Sequence, residues 1–233
     1  MTKFTVGIVG AMEPEVALLK TAMTIEREES LIHTTAYIGQ LNGQNIVLVQ
    51  SGIGKVNASI ITALMIERYD LDYLINTGVA GALSNKLDVT DMVISTDVTH
   101  HDVDATAFGY VLGQVPGMPE VYHSDDQLQA LALSIINNNE EIKGQCGQVV
   151  SGDSFIDSKV EKDNILSNFA DALCVDMESS SIAQTCYQFE TPFLIMRSMS
   201  DKADDSADMS YDEFLARACV HSSEVVKSIL REL

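Results

Sequence analysis

Apolar residues gather in short runs along this chain, at Phe4–Val9, Ile46–Gln50, Tyr73–Thr77, Met92–Asp97, Gln148–Ser151, Leu173–Asp176 and Pro192–Met199. Most carry too few polar positions to turn one face to water, so they read as strands covered on both faces of a largely parallel sheet. Helical periodicity appears between them. In 178–189 the side chains of Ile182, Ala183, Cys186 and Phe189 fall on one stripe, and in 211–233 Phe214, Ala218, Val225, Ile229 and Leu233 do the same. Asn137-Asn138-Asn139 reads as a helix end. Strand alternating with helix, without a repeat, a low-complexity tract or a linker, predicts an α/β fold. The expectation is one domain over residues 1–233, a three-layer sandwich around a central mixed, largely parallel sheet.

Composition narrows the partners. With 14 Lys and Arg against 34 Asp and Glu, the formal charge is -20. Such a surface repels nucleic acid and anionic membranes, so neither is expected as a partner. No apolar run has the length of a membrane span, and the stretch from Phe4 runs into Glu13-Pro14-Glu15 without a leader's cleavage site. Cys146, Cys174, Cys186 and Cys219 have no zinc spacing; three lie in apolar stretches and read as packed thiols, in a reducing, cytoplasmic setting.

In an open α/β sheet, ligands bind beyond the carboxyl ends of the strands. The segments there are Gly10-Ala11-Met12-Glu13-Pro14-Glu15, Ser51-Gly52-Ile53-Gly54-Lys55, Asn76-Thr77-Gly78-Val79-Ala80-Gly81, Asp176-Met177-Glu178 and Met199-Ser200-Asp201. The glycine turns match neither the dinucleotide fingerprint nor the phosphate loop. Taken singly, Glu15 and Glu178 read equally well as acids at the positive end of a helix, the favoured reading for Glu13, and Asp201 as a solvated loop charge. Three segments bringing acids to one sheet edge point instead to acid–base work on an uncharged substrate.

Together with Thr106-Ala107-Phe108-Gly109-Tyr110, Val150-Ser151-Gly152-Asp153 and Arg197 to Asp201, these segments resemble the methylthioadenosine/S-adenosylhomocysteine nucleosidases, in order and from end to end of the chain. The resemblance implies a nucleoside phosphorylase-like fold and hydrolysis of an adenine N-glycosidic bond, with no cofactor and no metal. It implies that Glu15 activates the attacking water and that Asp201, oriented by Ser200, protonates adenine at N7. Glu178 would hold the ribose hydroxyls with Met177 against the sugar. Phe155 and Ile156 would hold the purine, Gly81 would contact the substrate, and Met12, Ile53 and Tyr211 would line the sugar and alkylthio pocket. Phe108 and Pro116 would come from the second subunit of a homodimer. Val79 stands where some members carry serine, and Tyr211 where some carry phenylalanine. Both departures bear on substrate preference among methylthioadenosine, S-adenosylhomocysteine, 5′-deoxyadenosine and futalosine-type nucleosides.

Two rival functions have different requirements. A purine nucleoside phosphorylase needs a phosphate cradle, yet Arg27, Arg68, Arg217 and Arg231 read as helical and only Arg197 as lying at a strand end. A nucleoside-binding protein has no use for both Glu15 and Asp201. The cluster His100-His101-Asp102-Val103-Asp104 reads as a loop, because adjacent residues rarely converge on one ion.

Overall fold

The alternation of strands and helices is realised in a computed structural model, which describes residues 3–205 and 207–233. In chain order the elements are β1 (Thr5–Gly10), α1 (Glu13–Ala22), β2 (Thr24–Leu31), β3 (Thr34–Leu41), β4 (Gln44–Gln50), α2 (Lys55–Tyr69), β5 (Tyr73–Ala82), β6 (Met92–His100), β7 (Tyr122–His123), α3 (Asp126–Asn137), β8 (Gly144–Ser151), α4 (Lys159–Asn168), β9 (Ala172–Asp176), α5 (Ser179–Gln188), β10 (Phe193–Asp201) and α6 (Ala207–Glu232), with a 3-10 turn at Thr106–Phe108.

The sheet is mixed and partly closes on itself. Strands β5, β10, β6, β8 and β9 pair in a ring, since β10 pairs with both β5 and β6, and β9 returns to β5. From β5 the sheet continues through β1 and β4 to the antiparallel β3 and β2. The mainly apolar runs form the largely parallel interior. Val6 and Ile8 of β1 pack on one face with Val16 and Leu19 of α1 and Val225 and Ile229 of α6. Val9, Val47 and Val49 pack on the other with Ala58, Ile61 and Met65 of α2 and Ile182 and Cys186 of α5. Two helical layers therefore enclose the sheet, and truncating an interior side chain such as Leu48 to alanine is expected to cost about 2–5 kcal/mol.

Three details differ from the sequence reading. Arg27 lies in β2, a largely exposed edge strand, and pairs there with Glu29. Phe189 lies just past the end of α5 and is exposed, while Ile182, Ala183 and Cys186 are buried as expected. Arg197 is not at a strand end; it lies inside β10 and is fully buried.

Candidate active site

β5 runs beneath the site and its glycines make room for it. Gly78 and Gly81 lie three residues apart, and each is approached by a different carboxylate. A Cβ on Gly78 would lie 2.6 Å from Oε1 of Glu15, and one on Gly81 would lie 2.8 Å from Oδ1 of Asp201 and 2.9 Å from Cβ of Ala203. No side chain fits at either place without displacing an acid.

Glu15 comes from the first turn of α1, which Pro14 helps to start after the turn at the end of β1. The turn folds its carboxylate back over its own helix start. Oε2 accepts from the backbone N–H groups of Ala11 at 2.7 Å and Met12 at 2.9 Å, and Oε1 accepts from Val79 N–H at 3.0 Å. Burial raises its carboxyl above the usual range, against the pull of the Arg197 guanidinium and these donors.

Asp201 closes β10, where the pairing with β5 shifts register between Met199 and Asp201. Its Oδ2 accepts from the Ser200 hydroxyl at 2.8 Å and its Oδ1 from Ala203 N–H at 2.8 Å. Only 2% of the residue is exposed, so it is not a solvated loop charge. Burial raises this carboxyl too, with Asp204 adding to the lift.

Glu178 precedes α5 and accepts from Gly54 N–H at 2.8 Å. Burial, and then Asp176, raises its carboxyl. Beneath it Arg197 binds Asp176, with Nε at 2.8 Å and Nη2 at 2.6 Å from Oδ2, and Nη2 also donates to Asn76. Asp176 is further held by the hydroxyls of Ser151 and Ser179, each at 2.6 Å. This buried guanidinium is the counter-charge under the site, and the sequence reading did not assign it that place. The signal was present as an arginine within an otherwise apolar strand, a position where charge survives only if paired.

One cavity of about 300 Å³ brings together Met12, Glu15, Ile53, Gly81, Phe155, Ile156, Met177, Glu178, Ser200, Asp201 and Tyr211. Ala11, Val79, Ala80, Ser154, Val175 and Asp176 complete its lining, none of which the sequence reading had assigned a contact of its own except Val79. Among the described residues no Lys, Arg or His lines it. Phe155 meets Tyr211 edge-on with ring centroids 6.0 Å apart, and the Tyr211 hydroxyl lies 3.1 Å from the Met12 sulfur. Phe108 and Pro116 are not brought to this cavity; they sit on an exposed segment, with Phe108 84% exposed. In the His100–Asp104 cluster, His100 bonds Ser180 and Gln184 while Asp102 pairs with Lys55.

A mainly apolar cavity whose charged side chains are all acids, carried on separate elements, suits a neutral polar molecule that acquires positive charge during reaction. The sequence pattern of the phosphorylase superfamily matches residues 5–231. A 5′-methylthioadenosine/S-adenosylhomocysteine nucleosidase of Staphylococcus carnosus (strain TM300) is 49% identical over 228 residues, covering 98% of this chain and all of the relative. The Neisseria meningitidis nucleosidase of the same name, crystallised with methylthio-immucillin-A, is 45% identical with a TM-score of 0.96, over 98% of this chain and 99% of that one. The Colwellia psychrerythraea 34H nucleosidase in complex with adenine is 41% identical with a TM-score of 0.97, over all of this chain and 96% of that one.

Proposed function

Because the chain belongs to the 5′-methylthioadenosine/S-adenosylhomocysteine nucleosidases of the phosphorylase superfamily, we propose that it hydrolyses the N-glycosidic bond of these two nucleosides and of 5′-deoxyadenosine, releasing adenine. The observation that carries the reading is the placement of Glu15, Glu178 and Asp201 around one cavity that no cationic side chain lines, among the described residues.

Breaking the bond leaves positive charge on the sugar and negative charge on the base. In the proposed reaction Asp201 gives its proton to N7, so adenine departs neutral. Glu178 accepts from the ribose hydroxyls and faces the developing sugar cation. Glu15 takes a proton from water as its oxygen bonds to C1′. The proton gained by Glu15 and the one lost by Asp201 balance through solvent after product release. Two carboxyl groups on opposite sides of the scissile bond with a water between them follow the logic of inverting glycosidases. Phe155 and Ile156 would hold the purine, and Met12, Ile53 and Tyr211 the apolar 5′ tail.

The reading includes one nucleosidase domain, a cytoplasmic setting and a homodimer in which exposed Phe108 and Pro116 cover the neighbour's cavity. The test is product analysis on methylthioadenosine with and without phosphate. Free adenine and methylthioribose at a rate indifferent to phosphate are expected. A ribose 1-phosphate product would identify a phosphorylase, despite the engagement of Arg197 by Asp176 and Asn76.

A further inference from the structure

We propose that Lys55, Asp102 and Asp153 form an ionic latch that positions the rim of the cavity for nucleoside binding without taking part in bond breaking. The three residues come from segments far apart in the chain: the start of α2, the segment after β6 and the turn after β8. Their contacts form a closed ring. Lys55 Nζ donates to both carboxylate oxygens of Asp102, at 2.7 and 2.8 Å. Oδ2 of Asp102 accepts from Asp153 N–H at 3.1 Å. Oδ1 of Asp153 accepts from the backbone N–H of Lys55 at 2.8 Å.

The ring settles a local problem at the start of α2. Gly54, at its N-cap, has no side chain to satisfy the first helical N–H groups. Asp153 supplies that cap from 98 residues away. The preceding N–H, that of Gly54, is taken by Glu178. Ile53 lies on one side of the latch and Phe155 two residues beyond Asp153, and both line the cavity. The latch therefore ties together two walls of the rim that belong to segments far apart in the chain.

Its strength is not that of a buried pair. The Lys55 and Asp102 side chains are 19% and 31% exposed, so solvent screens much of their attraction. Burial acts to raise the Asp102 carboxyl, but Lys55 and the Asp153 N–H outweigh it and hold it below the usual range, so it remains ionised near neutral pH. Glu15 and Asp201 stand on α1 and β10, which the ring does not touch, and the bond from Gly54 N–H to Glu178 uses neither the Lys55 nor the Asp102 side chain. Loosening it is expected to change binding more than turnover.

The proposal rests on the nucleosidase reading insofar as the rim is taken to hold a nucleoside. The test uses the full chain with Lys55→Met, Asp102→Asn, the double variant and Lys55→Arg. For Lys55→Met, KM for methylthioadenosine is expected to rise about five- to tenfold with kcat within about twofold, Lys55→Arg recovering most of the loss. The double variant should be no worse than the worse single variant, because both remove one unit. Amide hydrogen exchange provides an arm that needs no turnover. In Lys55→Met it should accelerate at residues 152–156 and 101–105 while the β1 and β10 amides stay protected. Unchanged exchange in those segments, additive losses, or a fall in kcat at constant KM would overturn the latch. Accelerated exchange in a protein that releases no adenine would leave the latch standing and refute the nucleosidase reading.

Discussion

The two ends of the cavity hold the same kind of group in different company. At one end Glu15 is fixed by three backbone N–H donors at a helix start, with the Arg197 guanidinium acting on it from below. At the other, Asp201 has the Ser200 hydroxyl and one backbone N–H, with Asp204 opposing ionisation and Lys162 favouring it by less. Burial lifts both carboxyls, but the counterweights differ. More donors and a guanidinium favour the ionised form, as a base needs; fewer donors and a neighbouring acid favour retention of a proton, as an acid needs. The sheet keeps the two ends apart by a single strand, since Gly78 yields to Glu15 and Gly81 to Asp201.

Substitutions can break this asymmetry at either end. A large effect, matched only by the loss of Asp201's proton, is expected from Glu15→Gln, which keeps the shape but cannot take a proton. Turnover should fall by about 10³–10⁴-fold, equally for nucleosides with good and poor leaving bases, as steady-state kinetics on both will tell. Glu178→Gln comes next, with kcat lower by about 10²–10³-fold and KM little changed, because the lost charge matters most when the sugar is cationic. The same variant should be more stable without ligand. Glu178's carboxyl is raised by burial and by Asp176, so its contribution is full below the ordinary carboxylate pKa and is lost as pH rises through the raised value. Removing the charge should add about 1–2 kcal/mol in urea denaturation at about pH 8 and much less at about pH 5. The smallest effects are expected from the glycines, where an added methyl displaces one acid at a time. Gly78→Ala and Gly81→Ala should each cost about 10–10²-fold. Only the second loss should depend on the leaving base.

The parallel interior was legible in the sequence because strands covered on both faces are mainly apolar, as Ile46–Val49 and Phe193–Met196 are. β2 and β3 were not. Thr24–Leu31 is an exposed edge strand whose Glu and Arg side chains hide any alternation. The Asn42-Gly43 pair, both with positive φ, was the available sign of the β3–β4 hairpin. The cavity acids were legible from their positions after strands, and the structure gathers eleven of the thirteen assigned residues around one space. The Arg197–Asp176 pair beneath them was not, because periodicity cannot reveal which buried charges meet across 21 residues.

Division of labour between the two ends is tested most directly by Asp201→Asn. Asparagine retains the size and can still hydrogen-bond, but it has no proton to transfer. The measurement is kcat for methylthioadenosine and for a nucleoside whose base departs without protonation, in Asp201→Asn and Glu15→Gln, each first checked for folding. Asp201→Asn is predicted to lose about 10³–10⁴-fold on methylthioadenosine and far less on the activated nucleoside, while Glu15→Gln loses heavily on both. Equal losses on the two substrates in Asp201→Asn would contradict the account and leave Asp201 as a residue that only binds the base.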